Sequence, residues 1–321
     1  MARNTHDGER SFARRDARRR GWRARTAVIA TVVALVVSSA CAPDGSGPNI
    51  QLAGIDDGVP NCAAFLPLLS SLYIGGPNLP NKPMDERFHS PPVAEWCNSN
   101  IGFSTETYGP NGVTFGLPAT KDGPFHNNAE LLAMPTFEPG QTMTYQLRGT
   151  QIDNLNGTLG FGISNRTVDL PQLEIAWFMY NWTDAEIGPA TQQLAPLFNL
   201  LGMDFPRGFF LMVKRKGELL PQIRLIDPNL LKSDHSYAVK LGASDVKFYV
   251  DGTEIGSFGR PPTGLGIASD YRPLPLVGQL WIDAGYWFPI PIPQWNDTPN
   301  SVTMTRYLQG PSETTPLVVN D

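Results

Sequence analysis

Two short stretches concentrate side chains able to act on a sugar. QLEIAWFMY, residues 172–180, sets the carboxylate of Glu174 among aromatics, and QLWIDAGYW, residues 279–287, sets Asp283 between Trp281 and Trp287. Cleavage of a glycosidic bond needs two carboxyl groups flanking that bond, as nucleophile or base and as acid. Flat aromatic faces stack on sugar C–H groups, and a few acids accept from hydroxyls. In strands, Glu174, Ala176, Phe178 and Tyr180 would share one face, and Trp281, Asp283 and Trp287 would share another. If both faces line one groove, Glu174, Phe178, Tyr180, Trp281, Asp283 and Trp287 form a binding surface. The competing expectation is that these rings fill a core.

Other chemistries are poorly represented. Asp184 and Glu186, just past the first stretch, are substitute carboxylates only if a fold relocates them. Asp234, His235 and Ser236 have the residue types of a hydrolytic triad, but neighbours on a strand point to opposite faces and cannot converge. No P-loop, dinucleotide-binding fingerprint, GxSxG elbow or HExxH helix is present. No CxxC or His/Cys cluster suggests zinc; no cofactor is expected beyond a structural calcium of the kind β-sandwiches often carry, although no dense Asp/Asn cluster marks its site.

The elements that must position these residues read as strands. GVTFGL, TMTYQLRG, TLGFGIS, QLEIAWFMY, GFFLMVKRK, QIRLI, SYAVKLG, DVKFYVDG, TEIGSFG, QLWIDAGYW and SVTMTRYL are rich in β-branched and aromatic residues and bounded by Gly, Pro, Asn or Asp. With 31 Gly and 30 Pro in 321 residues, many turns and an all-β sandwich or jelly roll are expected. One helical interruption is expected within residues 184–202. Residues 311–321 read as a disordered tail.

The first 40 residues stand apart from that fold. An Arg-rich run, RRDARRRGWRAR, precedes an apolar run, TAVIATVVALVVSS, too short to span a bilayer comfortably. The SSAC that follows resembles the processing site of bacterial lipoproteins, which implies Cys41 as a lipid anchor, although Ser38 stands where Leu or Val is usual. An ordinary secretory leader is the alternative. These 40 residues hold nine Arg and three acids, so of 25 basic and 30 acidic residues 16 and 27 lie beyond them, a balance of about −11. Nucleic acid and anionic lipid are therefore poor partner candidates, and no nucleic-acid partner is expected. Residues 41–60, rich in Gly, Pro and Asp, suit a tether. If Cys41 is lipidated, Cys62 and Cys97 remain, and in an oxidising compartment they form a disulfide stapling the Pro-rich residues 61–100. The Asn-x-Thr sites at Asn156, Asn165, Asn181 and Asn296 then read as chance.

Residues 235–258 add a hairpin: Val246, Phe248 and Val250 alternate with Lys247 and Tyr249 before Asp251-Gly252, a strong two-residue turn. The expected register sets Phe248 opposite Ile255. This hairpin follows HSYAVKL, comes after QLEIAWFMYN by about 60 residues, and is followed by PLPLVGQLWIDAGYW and SVTMTRYLQG. In that order and spacing the segments resemble the concanavalin A-like jelly roll, and within it the laminarinase-type (family 16) glycoside hydrolases, over residues 101–310. The resemblance aligns Glu174 with the nucleophile. It also implies an aspartate two residues later, where Ala176 stands, and an acid/base four or five residues later, where Phe178 and Met179 stand. Two of three carboxylates are absent.

The expectation is thus a lipid-anchored protein of the outer face of a bacterial cell membrane, monomeric, binding a glycan through the concave face without hydrolysing it. A divergent hydrolase or transglycosylase using Glu174 with a relocated partner such as Asp283 or Glu186 is the second expectation. A structural or protein-interaction lipoprotein is the third.

Overall fold

The computed structural model describes residues 62, 78–92, 94–100, 102–119, 127–152, 155–165, 173–182, 207–216, 218, 221–259, 275–284, 286–287, 290–291 and 296–319, with only the backbone at 182, 286–287 and 290–291. Cys41, the leader, the tether, Asp184, Glu186, the expected helix and the Trp287 side chain lie outside the described residues.

The strands run β1 (Met84–Glu86), β2 (Trp96–Asn98), β3 (Thr105–Gly109), β4 (Gly112–Leu117), β5 (Asn127–Phe137), β6 (Gln141–Leu147), β7 (Gly157–Ser164), β8 (Ile175–Trp182) and β9 (Gly208–Lys214). They continue as β10 (Gln222–Ile226), β11 (His235–Leu241), β12 (Asp245–Val250), β13 (Thr253–Gly259), β14 (Leu276–Ala284), β15 (Tyr286–Trp287), β16 (Ile290–Pro291) and β17 (Asn300–Pro311). One eight-stranded sheet has the order β13-β12-β11-β6-β17-β4-β3, with β1 also on β17; a seven-stranded sheet has the order β10-β9-β8-β7-β14-β5-β2. Every pairing within them is antiparallel. This is the jelly-roll sandwich expected.

Alternation places the core. Leu159, Phe161 and Ile163 of β7, Ala176, Phe178 and Tyr180 of β8, and Leu280 and Ile282 of β14 face Tyr145, Tyr237, Val239, Phe248 and Met304 of the other sheet in one continuous apolar cluster. Burial of such rings is the main favourable term of a sandwich fold. The Asp251-Gly252 turn has φ of +47° and +75°, as a two-residue turn matching strand twist requires. Its register differs from expectation. Phe248 pairs with Gly256 rather than Ile255, because a bulge after Phe248 leaves Ile255 unpaired in the ladder.

Three further departures concern the ends and β5. Residues 127–137 were not expected as a strand, yet β5 is eleven residues long and buried at all but one of them. The Pro-rich N-terminal segment carries the expected Cys62–Cys97 disulfide, but it is no appendage. Phe88 and Trp96 are 0 % and 1 % exposed in the main core, and β2 is the edge of the seven-stranded sheet. The tail was expected to be disordered, but residues 312–319 lie as a strap across the outside of the eight-stranded sheet. Thr142 Oγ1 donates to Ser312 Oγ, Thr144 Oγ1 to the Pro316 carbonyl and the Val319 N–H to Ser236 Oγ. Outward hydroxyls of β6 and β11 thereby hold the segment, and Val319 at its end is buried.

Candidate functional site

The outer face of the seven-stranded sheet, turned away from the other sheet, is built in rungs. Asn128, Asp283, Thr158 and Asn181 form one across β5, β14, β7 and β8. Glu130, Trp281, Gly160 and Met179 form the next, and Leu132, Gln279, Gly162 and Trp177 the third. Glycine at 160 is dictated by its neighbour: a Cβ there would lie 2.1 Å from Cη2 of Trp281, so the indole lies over bare backbone. That space lets Trp281 reach Trp177, whose ring centroid is 4.8 Å away at an interplanar angle of 67°.

The acids of this face are held from both sides. Asp283 Oδ1 accepts from the Thr158 N–H at 2.8 Å and from Thr158 Oγ1 at 2.9 Å, and Trp281 Nε1 donates to the same hydroxyl oxygen at 2.9 Å. Glu130 Oε1 accepts from Gln279 Nε2 at 2.6 Å. Burial pushes the Asp283 carboxyl well above the ordinary carboxylate range; the Thr158 bonds oppose this, and the nearby Glu130 charge adds to it. Two polar atoms of the face, Trp177 Nε1 and Gln279 Oε1, are buried without a hydrogen-bond partner. Such atoms are rare in folded proteins and mark strain or a ligand position.

This environment gives a pH-dependent prediction. Unfolded, the carboxyl titrates near 3.8; folded, it titrates higher, so wild-type stability falls as pH rises above the unfolded value. Asp283→Asn has no such proton and keeps the acceptor for Thr158. The variant should therefore gain stability relative to wild type between about pH 4 and pH 7, read from urea midpoints. An equal difference at both pH values would mean that folding does not raise the Asp283 pKa.

The expected site residues separate into three places. Trp281 and Asp283 are on the outer face. Phe178 and Tyr180 are not: they point into the inter-sheet core with Ala176, while Ile175, Trp177 and Met179 point outward. β8 is apolar on both faces, so its own pattern does not choose between them. Glu174 precedes β8 at one end of the sandwich, half-buried, lining a cleft of about 550 Å³ with Glu138, Arg215 and Asp245. Its Oε1 accepts from the Lys216 N–H at 3.5 Å. Glu174 and the rung of Asp283 and Asn181 are seven residues apart along β8, about 23 Å at roughly 3.3 Å per residue. Acid/base pairs in glycosidases are about 5–9.5 Å apart, so Glu174 and Asp283 cannot act on one bond. The described outward positions of β8 carry no carboxylate.

Glu130, Trp177 and Asn181 were not foreseen. The alternation of TLGFGIS was the available sign: Leu159, Phe161 and Ile163 fill the core and glycines clear the opposite face for large neighbours. Asn165, Asn181 and Asn296 are 1 %, 1 % and 0 % exposed, which keeps these three sequons from any modifying enzyme in the folded protein. Asp234 and Ser236 do not converge on His235: Asp234 Oδ1 accepts from the Gly149 N–H and Ser236 Oγ bonds Val319. Among the described residues no group of three His, Cys, Asp or Glu side chains is placed to hold a metal ion.

No protein-family model matches the chain, and no curated protein matches it. Solved structures similar to it include the catalytic domain of an endo-1,3-beta-glucanase (laminarinase) from Thermotoga petrophila, at 8 % identity and a TM-score of 0.47, covering 71 % of this chain and 97 % of that one. A laminarinase from Flavobacterium sp. is similar at 11 % identity and 0.47, covering 70 % and 98 %. A Bacillus licheniformis beta-glucanase is similar at 13 % and 0.45, covering 71 % and 97 %. These are likenesses of jelly-roll fold to family 16 glycoside hydrolases, and at such identities no residue role passes from them to this chain.

Proposed function

We propose that the protein binds a glycan on the outer face of its seven-stranded sheet and does not cleave it by the paired-carboxylate chemistry of that strand. The observation that carries the proposal is the Trp177–Trp281 pair, flanked by Glu130, Asp283 and Asn181, with Trp177 Nε1 buried and unpartnered. Stacking surface, acceptors and a spare donor are what a sugar ring requires. Trp177 and Trp281 are 6 % and 7 % exposed, so binding has to uncover them and part of the binding energy is spent on that step. We further propose that the chain is exported and tethered by a lipid on Cys41; the leader pattern and the Cys62–Cys97 disulfide support this.

The test is an array of bacterial envelope, plant and algal glycans probed with residues 57–321, with reducing-end release followed for every hit. Binding without release, weakened tenfold or more in Trp281→Ala with the fold intact, is expected. Release abolished by Glu130→Gln would replace this proposal with a hydrolase built on Glu130 and Asp283. Absence of binding to any glycan would favour a structural lipoprotein.

A further inference from the structure

On the opposite sheet, away from the Trp177–Trp281 face, three side chains meet that no sequence motif brings together. Ser233, which ends the single helical turn Pro228–Lys232, and His235, the first residue of β11, are two apart in an extended stretch and lie side by side. Asp251 comes from the β12–β13 turn. Ser233 Oγ is 3.0 Å from His235 Nε2, and His235 Nδ1 is 2.5 Å from Asp251 Oδ2. The other carboxylate oxygen of Asp251 accepts from the Ser236 N–H at 2.9 Å, and the Asp251 N–H donates to the Ser236 carbonyl at 2.8 Å. The carboxylate is thus clamped on both of its oxygens.

With the imidazole neutral and the carboxylate ionised, the carboxylate only accepts, so the ring proton sits on Nδ1 and Nε2 is left as an acceptor facing the Ser233 hydroxyl. A nucleophile bonded to a base, and that base bonded to an orienting acid, is the arrangement that activates serine on several unrelated folds. Ser233 is exposed, so an incoming electrophile can reach it. We propose that Ser233 is a reactive nucleophile with His235 as its general base and Asp251 as the orienting group, acting on short-chain acyl esters.

In the acylation step Ser233 Oγ bonds the acyl carbon and its proton passes to His235 Nε2. The carbon–oxygen bond to the alcohol then breaks, and the departing oxygen takes that proton. Water, deprotonated by the same nitrogen, attacks the acyl-serine and releases the carboxylic acid, which restores Ser233 and neutral His235. One ester and one water become one acid and one alcohol.

The experiment treats the folded protein with a biotinylated fluorophosphonate and with p-nitrophenyl acetate, and locates the adduct by peptide mass spectrometry. Labelling at Ser233, absent in Ser233→Ala and slowed at least tenfold in both His235→Gln and Asp251→Asn, is the expected result. Because His235 and Asp251 also brace the hairpin, each variant's melting profile is compared with that of Ser233→Ala, whose exposed side chain leaves the fold unchanged. No labelling above that of Ser233→Ala would overturn the proposal, as would labelling at Ser233 that His235→Gln leaves unchanged in a folded variant.

Discussion

Phe178→Ala lowers the free energy of unfolding by about 3–5 kcal/mol, the usual cost of emptying a buried aromatic site. The ring is fully buried, stacked on Phe161 at 5.0 Å and met edge-on by Tyr237 at 5.2 Å and Phe248 at 5.1 Å, so both sheets touch it. Neighbours drawn from two sheets cannot collapse inward without shifting a ladder, which places the loss toward the upper end of that range. Urea unfolding of the variant reads this directly. A change below about 1 kcal/mol, ordinary for a surface site, would put Phe178 on the binding face, where its alternation with Glu174 had placed it.

Breaking the Cys62–Cys97 disulfide is the second large effect. The bond closes 35 residues of chain, and a loop of that size gives a chain-entropy stabilisation of about 4 kcal/mol. Cys97 is 1 % exposed on β2, opposite Leu132 of β5, and both cysteines pack with Leu132, Met134 and Val277. Replacing both cysteines by alanine should lower the melting temperature by roughly 10 °C in a domain of this size. Wild-type protein held in reductant should show a similar drop. A melting temperature that ignores reductant would mean that β2 is held by Trp96 and its backbone pairing alone.

The fold was more legible than the site, and particular residues show why. Strands with one clear apolar stripe, such as β6 and β12, alternate in the sequence as they do in the sheet. β5 is hidden because NNAELLAMPTF is buried on both faces and made largely of helix-favouring Ala, Leu, Glu and Met, so neither alternation nor propensity marks it. Glu130 went unnoticed with it. β8 was found, but its face was misassigned, since Glu174 lies before the strand and residues 175–180 carry apolar or aromatic side chains on both faces. Side-chain direction there is set by neighbouring strands, notably the glycines of β7. The Ser233–His235–Asp251 meeting depends on a turn 16 residues away from the histidine, a separation that no local pattern encodes.

The place of β17 has a bearing on biosynthesis. This last strand is interior to its sheet, hydrogen-bonded to β6 on one side and β4 on the other. The eight-stranded sheet therefore cannot close until β17, made after every other described strand, has joined it. Pairings this distant in sequence form slowly. Until then β6 and β4 lack the strand that lies between them, and their facing edges stay unpaired, the kind of open edge that invites pairing with another chain.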